Sequence, residues 1–337
     1  MRLALDEARK GLGRTAPNPP VGAVIVRNGQ LLGKGWHRAA GQPHAEREAI
    51  ADAKRQHGEE ALRGATIYIT LEPCSTTGKT PPCTEGIIEA GFSRVVYSWV
   101  DANPKHWGVA DKLLEEAGVE VESGVLGDEV EALMRPFFKV QKTGLPWVIW
   151  KTAMSLDGRL TRPPGESQWL SGEQARADVQ RLRSEVDAIL TTGETVRRDK
   201  PALTIRVPEL LEGRQQPWRV VFTGDEASLP QDAPLFTDEN RERTLIRPRE
   251  DLKGSLKRLV KEQGVLTCMT EAGGIFSAAL LEAGLIDEVV IYLAPMICGG
   301  PHPAMAGAGL AQSLKLEQLN YKVFGDTVRM NGCIERR

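Results

Sequence analysis

The chain has 337 residues and a formal net charge of −2, with 43 Lys and Arg against 45 Asp and Glu. At roughly 150 residues per domain, this length predicts two domains. The balanced charge argues against the basic surface that nucleic-acid binding requires. The contents of charged residues (26%) and hydrophobic residues (41%) exclude a disordered or fibrous chain. The charged N-terminus lacks the apolar core of a signal peptide, and prolines and glycines interrupt the longest uncharged run. We therefore expect a cytoplasmic protein without a membrane partner.

Strands and helices alternate along the first half. Asn28-Gly29 lies between apolar runs at 21–26 and 31–35, which is a strong hairpin signal. Further along, the pattern predicts a helix at 45–54, a strand at 66–71, a helix at 84–90, a strand at 93–100, a helix at 111–117 and a strand at 119–121. This alternation predicts a three-layer α/β domain with a mixed sheet.

A polar stretch at 139–146 precedes a new apolar run that starts at Trp147. We place the domain boundary there, which gives domains 1–144 and 145–337. In the second half we predict strands at 147–154, 188–191, 219–222, 244–246, 265–270 and 288–293, helices at 173–186 and 274–283, and a closing strand or hairpin at 321–333. The second domain is again of the α/β class.

Three potential metal ligands follow one another in the first domain: His44, Cys74 and Cys83. Without an export signal the thiols are expected to be reduced, so clustered cysteines indicate a metal or catalytic site. One imidazole and two thiolates suit Zn²⁺ and leave a fourth position open, as in catalytic zinc sites. Glu46 is then placed to accept a proton from the attacking water and pass it to a leaving amine. His37 is the only nearby candidate for a fourth, structural ligand. The pattern predicts a zinc-dependent hydrolytic deaminase.

Without reference to any family, the sequence of the second domain indicates its function less specifically. It has no Gly-x-Gly-x-x-Gly sequence, so a Rossmann dinucleotide site has no support. Gly273 and Gly274 precede a predicted helix and could bring backbone N–H groups to a phosphate, or they could form an ordinary tight turn. Arg183 and Arg206 could hold a phosphate or be solvated. We interpret Trp169 as a core residue rather than a stacking surface.

The motifs of both halves together resemble the bifunctional riboflavin-biosynthesis deaminase/reductase family. Zinc deaminases carry His-x-Glu followed by Pro-Cys-x-x-Cys, whereas eight residues separate the cysteines here, and that long spacer is itself a feature of the family. The motifs are PNPPVG at 17–22, PHAE at 43–46, LEPC at 71–74, GKTPPC at 78–83, KTAMSLDGR at 151–159, GESQW at 165–169, DKPALTIR at 199–206 and EAGG at 271–274. The resemblance covers essentially the whole chain.

The resemblance implies a cytidine-deaminase-like three-layer α/β/α domain followed by a dihydrofolate-reductase-like α/β domain, with Zn²⁺ and NADPH as cofactors. The first domain would hydrolyse the ring amino group of a small molecule, 2,5-diamino-6-(5-phosphoribosylamino)pyrimidin-4(3H)-one. The second would reduce the ribosyl chain of 5-amino-6-(5-phosphoribosylamino)uracil to ribityl. We also expect a homo-oligomer.

The resemblance also implies individual site residues. Those expected to bind substrate are Asn18, Lys79, Thr80, Ser167, Arg183, Leu203, Arg206 and Glu271. Those expected to bind NADPH are Ala153, Trp169, Thr195, Asp199, Gly273 and Gly274. The chain departs from the family at 75–77, where Ser-Thr-Thr stands in place of the usual histidine after the first cysteine.

Two other interpretations are open. A nucleic-acid-editing deaminase is disfavoured by the balanced charge and by the long cysteine spacer. A monofunctional deaminase with a non-catalytic C-terminal module is disfavoured by the motifs around Ser167, Asp199 and Glu271.

Overall fold

The chain forms two compact units, Met1–Thr143 and Gly144–Arg337, in a computed structural model that describes residues 1–76, 81–101, 108–167 and 169–335. The elements of the first unit are helices α1 (Arg2–Arg9), α2 (Ala45–His57), α3 (Cys83–Glu89), α4 (Val109–Glu116) and α5 (Gly127–Thr143), and strands β1 (Gly22–Arg27), β2 (Gln30–Trp36), β3 (Thr66–Leu71), β4 (Arg94–Trp99) and β5 (Glu120–Glu122).

The first unit is built on a mixed five-stranded sheet in the order β2-β1-β3-β4-β5. β1 pairs antiparallel with β2 and β3, whereas β3, β4 and β5 are parallel. The predicted hairpin is confirmed: Asn28 and Gly29 both have positive φ (51° and 77°), as its tight turn requires. The predicted helices and strands are all present, with ends shifted by up to three residues.

Helices cover both faces of this sheet. Gly35 of β2 allows α2 to approach closely, because an added Cβ would lie 2.4 Å from the backbone nitrogen of Ala49. On the opposite face, Gly22 of β1 meets α1, where an added Cβ would lie 2.1 Å from the carbonyl oxygen of Ala4. The three-layer α/β/α arrangement predicted for this domain is therefore present.

The polar stretch at 139–146 is not a linker along its whole length. Residues 139–143 form the last turn of α5, a helix that the sequence analysis did not predict. Val130, Met134 and Phe137 lie on one side of α5 and are buried. This apolar stripe anchors the helix, so its polar final turn continues in helical conformation.

The second unit is built on an eight-stranded sheet in the order β12-β13-β11-β6-β10-β7-β8-β9. Its elements are strands β6 (Trp147–Ser155), β7 (Ala188–Thr192), β8 (Trp218–Thr223), β9 (Thr244–Pro248), β10 (Thr267–Thr270), β11 (Glu288–Ala294), β12 (Leu316–Phe324) and β13 (Thr327–Ile334), and helices α6 (Glu173–Glu185), α7 (Gly193–Asp199), α8 (Pro208–Leu211), α9 (Pro234–Thr237), α10 (Leu252–Gln263) and α11 (Gly274–Glu282).

The strands from β11 to β9 in this order run parallel, and β13 and β12 add an antiparallel hairpin at one side. The segment at 321–333, predicted as a closing strand or a hairpin, is therefore part of a hairpin. Helices α7 to α10 were not predicted. Because β6, β7 and β10 are parallel, their carboxyl ends meet at one edge of the sheet, where ligands of open α/β sheets bind. Across the described residues, every helix is too short or too polar to cross a membrane.

Candidate zinc and reductase sites

Two helix starts and one strand end bring the three predicted metal ligands together. His44 is the N-cap residue of α2, and Cys83 is the first residue of α3. Cys74 follows β3 by three residues. The backbone N–H of Cys83 donates to Sγ of Cys74 at 3.3 Å, so the two cysteine segments also hold each other in place.

The distances among these donor atoms fit a zinc ion. Nδ1 of His44 lies 3.5 Å from Sγ of Cys74 and 3.4 Å from Sγ of Cys83. Tetrahedral zinc with bonds of about 2.0 Å to nitrogen and about 2.3 Å to sulfur holds such atoms about 3.6 Å apart. Among the described residues, this is the one group of three His, Cys, Asp or Glu side chains with donors close enough to share a metal. Donor chemistry and spacing therefore agree.

Hydrogen bonds among the three donors set the proton affinity of each one. A hydrogen bond from Cys83 is the main cause that lowers the pKa of Cys74 to about 4, with a further contribution from His44. The hydrogen bond to Cys74 in turn raises the pKa of His44 to about 9. The pKa of Cys83 is raised by its hydrogen bond to Cys74 and by burial. Zinc needs neutral imidazole and thiolates, so its binding replaces the protons of His44 and Cys83.

Glu46 lies beside the three ligands but is not one of the metal-ligating group. It occupies the first turn of α2, two residues after His44, and only 3% of its surface is exposed. Burial is the main cause that raises the pKa of its carboxyl group. A carboxyl group with a raised pKa, next to the ligands, is suited to accept and return a proton.

A cavity of about 370 Å³ opens onto this group. Asn18 lines it, as the resemblance implied, and so does His37. Nδ1 of His37 contacts the carbonyl oxygen of Pro43 at 3.0 Å and must donate there, so its Nε2 accepts from Nδ2 of Asn18 at 3.0 Å. His37 is therefore committed to Pro43 and Asn18 rather than placed as a fourth ligand.

Several lining residues were missed by the sequence analysis. Glu72 is buried and accepts hydrogen bonds from the backbone N–H groups of Asp101 (3.1 Å) and Ala110 (3.4 Å). Phe137 and Gln141 reach the cavity from α5, the unpredicted helix. The one sequence feature that could have indicated a lining residue is the position of Glu72 between a predicted strand and Cys74. Lys79 and Thr80 lie outside the described residues.

In the second unit, a buried ion-pair cluster surrounds Glu271, which directly follows β10. Nε and Nη2 of Arg183 donate to Oε1 and Oε2 of Glu271 at 2.7 and 3.0 Å, and Nζ of Lys151 lies 3.5 Å from Oε2. Burial alone would raise the pKa of Glu271, but Arg183 and Lys151 outweigh it and hold the pKa at about 2. The fork of Arg183, for which the sequence left a phosphate contact and a solvated position open, is occupied by Glu271 and by the carbonyl oxygen of Thr204.

Four of the residues predicted to bind NADPH lie at or after the carboxyl ends of the neighbouring strands β6, β10 and β7. Ala153 lies near the end of β6, and Thr195 and Asp199 belong to α7, directly after β7. Thr192 caps α7 by accepting from the backbone N–H of Thr195 at 3.2 Å. Gly273 is the N-cap of α11, after β10. The parallel sheet therefore brings these positions to one edge.

The two glycines before α11 have different surroundings. A Cβ added to Gly273 would meet nothing within 4 Å, so its backbone faces open space at the helix start. A Cβ added to Gly274 would lie 2.3 Å from the carbonyl oxygen of Pro303. Gly274 is therefore required by the packing of the chain on itself, whereas the side of Gly273 on which a Cβ would lie is open.

The interpretation of Trp169 as a core residue is wrong, because 57% of its surface is exposed. The guanidinium of Arg176 stacks over its ring at 5.0 Å, and its backbone N–H donates to Oγ of Ser167 at 3.3 Å. Ser167 and Trp169 thus lie together on the surface.

The other two predicted substrate residues have different surroundings. Leu203 is buried with a positive φ of 51°. Arg206 lines a separate surface groove beside α8.

Fold and site define a class of protein: a zinc-dependent deaminase domain followed by an α/β domain with a ligand-binding strand edge. Residues 1–99 match the family model of the cytidine and deoxycytidylate deaminase zinc-binding region. Residues 146–330 match that of the RibD C-terminal domain. The chain belongs to the RibD family of riboflavin biosynthesis proteins.

Relatives and solved structures agree over nearly the full length. The chain is 42% identical to riboflavin biosynthesis protein RibD of Escherichia coli K12 (89% of this chain, 88% of that one) and 41% identical to RibD of Mycobacterium tuberculosis (92% and 88%). The structure of Acinetobacter baumannii RibD superposes with a TM-score of 0.88 at 37% identity (99% of this chain, 98% of that chain).

A Thermotoga maritima structure superposes with a TM-score of 0.84 at 30% identity, covering 99% of this chain and 97% of that chain. That protein is described as a diaminohydroxyphosphoribosylaminopyrimidine deaminase/5-amino-6-(5-phosphoribosylamino)uracil reductase. The predicted family, fold class, pairing of a hydrolase with an oxidoreductase, and cofactors Zn²⁺ and NADPH are confirmed. The monofunctional alternative is not favoured.

Proposed function

We propose that residues 1–144 hydrolyse the ring amino group of 2,5-diamino-6-(5-phosphoribosylamino)pyrimidin-4(3H)-one, and that residues 145–337 reduce the ribosyl chain of the resulting aminouracil with NADPH. The observation that carries this proposal is the His44, Cys74 and Cys83 triad with Glu46 beside it, facing a cavity large enough for a pyrimidine ring. Membership of the RibD family supports the substrate assignment.

His44, Cys74 and Cys83 are the proposed zinc ligands. When bound there, zinc supplies a Lewis acid that makes water easier to deprotonate. Glu46 accepts the proton of the attacking water, carries it to the ring nitrogen, and transfers protons to the departing ammonia. Its burial favours the protonated form, so the carboxyl group can hold that proton between the two transfers.

Asn18 is the proposed contact for the pyrimidine ring. Because His37 accepts from its Nδ2, the carbonyl oxygen of Asn18 is the atom left to accept from a substrate N–H group. Lys79 and Thr80 are further substrate contacts that the family resemblance suggests.

For the reductase, the proposed substrate residues are Ser167, Arg183, Leu203, Arg206 and Glu271. The ionised carboxylate of Glu271 is suited to accept a hydrogen bond from a hydroxyl group of the ribosyl chain, since Oε1, which accepts from Nε of Arg183, has a second lone pair. Arg183 supports this role by holding Glu271 in place.

The residues proposed to hold NADPH, which supplies the hydride when bound, are Ala153, Trp169, Thr195, Asp199, Gly273 and Gly274. The open space at Gly273 and its place at the start of α11 suit a phosphate group. The exposed indole of Trp169 suits stacking against a planar ring.

One experiment tests the whole assignment. The purified chain is incubated with the diaminopyrimidine substrate, with and without NADPH, while ammonia release and nicotinamide absorbance are followed. We expect ammonia in both cases and loss of NADPH absorbance only after deamination. Ammonia release without any NADPH oxidation would instead indicate a monofunctional deaminase.

Two further predictions concern the setting of the enzyme. The predicted cytoplasmic location is supported by the proposed thiolate ligands, because a reducing compartment protects thiols from oxidation. A homo-oligomer is supported by Tyr321 and Val323 on the edge strand β12 and Val328 opposite, which form an exposed apolar face. Light scattering of the purified protein tests this prediction.

A further inference from the structure

Arg47 joins the two helices that carry His44 and Cys83. It lies in the first turn of α2, three residues after His44, and its Nη2 donates to the carbonyl oxygen of Pro82 at 2.9 Å. Pro82 is the N-cap of α3, directly before Cys83. This bond ties the start of one ligand-bearing helix to the start of the other.

Gly86, in the middle of α3, provides the space that Arg47 occupies. A Cβ built on Gly86 would lie 2.3 Å from Nη1 and 2.4 Å from Cζ of Arg47. Apart from proline, glycine is the least favourable residue in a helix interior. Its presence at this buried position is explained by the guanidinium that packs against the helix backbone.

Backbone hydrogen bonds also join the start of α3 to the metal-ligating segment. The backbone N–H groups of Cys83 and Thr84 donate to Sγ and the carbonyl oxygen of Cys74 at 3.3 and 3.2 Å. A seven-residue helix is short and depends on tertiary contacts for its position. A shift of this helix start therefore moves Sγ of Cys83 relative to the other two donors.

We propose that Arg47 is a positioning residue for the zinc site. Through the carbonyl of Pro82 and against Gly86, it holds Cys83 at the spacing that zinc requires and slows the loss of the metal. The proposal rests on the zinc ligands proposed above, but Arg47 itself does not contact the metal.

The test is the rate at which the full chain releases zinc to an excess of a chromophoric chelator. Loss of a charge-assisted hydrogen bond predicts release about tenfold faster in Arg47→Ala than in wild type. Arg55→Ala is the matched control, because Arg55 lies on the same helix with an exposed side chain. It should release zinc at the wild-type rate. Arg47→Lys keeps the charge but not the planar fork, so it should resemble Arg47→Ala.

A double-mutant cycle separates positioning from general destabilisation. Gly86→Ala should displace the guanidinium and speed zinc release in the wild-type background, but not in Arg47→Ala, where the space is empty. Equal acceleration in both backgrounds, or wild-type release from Arg47→Ala, would overturn the proposal. If Arg47→Ala does not fold, wild-type release from both Arg47→Lys and Gly86→Ala overturns it. Zinc retained by Cys83→Ala would instead refute the proposed ligands.

Discussion

Arg183 and Glu271 form a two-point ion pair between α6 and the end of β10. Nε contacts Oε1 at 2.7 Å and Nη2 contacts Oε2 at 3.0 Å, although the two residues are 88 positions apart in the sequence. Both side chains are close to nine-tenths buried. The pair fixes one side of the proposed reductase site, because parallel hydrogen bonds specify orientation as well as distance.

This ion pair makes the free energy of unfolding depend on pH in the acid range. Glu271 titrates at about 2 in the folded chain, below its ordinary value of 4.5. Its ionised form therefore stabilises the fold above about pH 4.5, and the contribution is lost as pH falls towards 2. Urea unfolding should show this loss in wild type and not in Glu271→Gln. Glu271→Gln should be less stable near pH 7 by about 3–5 kcal/mol, since Arg183 is left unpaired. Parallel pH curves for the two proteins would contradict this.

Glu271 and Asp199 are expected to serve reduction alone. Glu271→Ala and Asp199→Ala should lower NADPH oxidation with the deaminated aminouracil, because substrate or cofactor contacts are lost. Ammonia release from the diaminopyrimidine should continue at the wild-type rate. A parallel fall of both activities in a folded variant would argue against two independent sites.

Zinc should be present at close to one ion per chain and should depend on Cys83. Cys83→Ala removes one thiolate of the triad, so elemental analysis of the purified variant should show a large loss of zinc. Cys333→Ala is the control, since Cys333 lies in β13 of the second unit. Full retention of zinc in Cys83→Ala would refute the ligand set.

Glu46→Ala should separate catalysis from metal binding. General acid–base groups contribute about 10²–10⁴-fold, so deamination should fall by that factor while the zinc content is unchanged. Glu48→Ala, the same change on the same helix, should remain active. Reduction of the supplied aminouracil should survive in both variants. If Glu46→Ala lost its zinc or kept its deaminase rate, Glu46 would have another role.

The two glycines before α11 should respond differently to alanine. Gly274→Ala forces a Cβ against the backbone of Pro303 and should cost about 1–3 kcal/mol in the free energy of unfolding. Gly273→Ala has room in the folded chain, so its stability should change little. Because its backbone faces the proposed phosphate position, its KM for NADPH should rise. An unchanged KM would remove Gly273 from the cofactor site.

The sequence by itself determined the chemistry of the first domain. His44, Cys74 and Cys83 are nitrogen and sulfur donors of the types that zinc prefers, and Glu46 follows His44 at a fixed spacing on a helix start. The hairpin at Asn28-Gly29 was equally readable, because turn preferences act within a few residues. The helix α5 was not predicted, because its polar final turn was interpreted as a linker and the apolar stripe before it was overlooked.

Only the tertiary structure decided which long-range partners meet. Arg183 faces Glu271 rather than open solvent, Trp169 is exposed rather than buried, and Gly274 packs against Pro303. Each outcome depends on how packed strands and helices align residues far apart in the chain. Local propensities and donor chemistry are properties of short segments, whereas the partner of a side chain is set by the packing of whole elements.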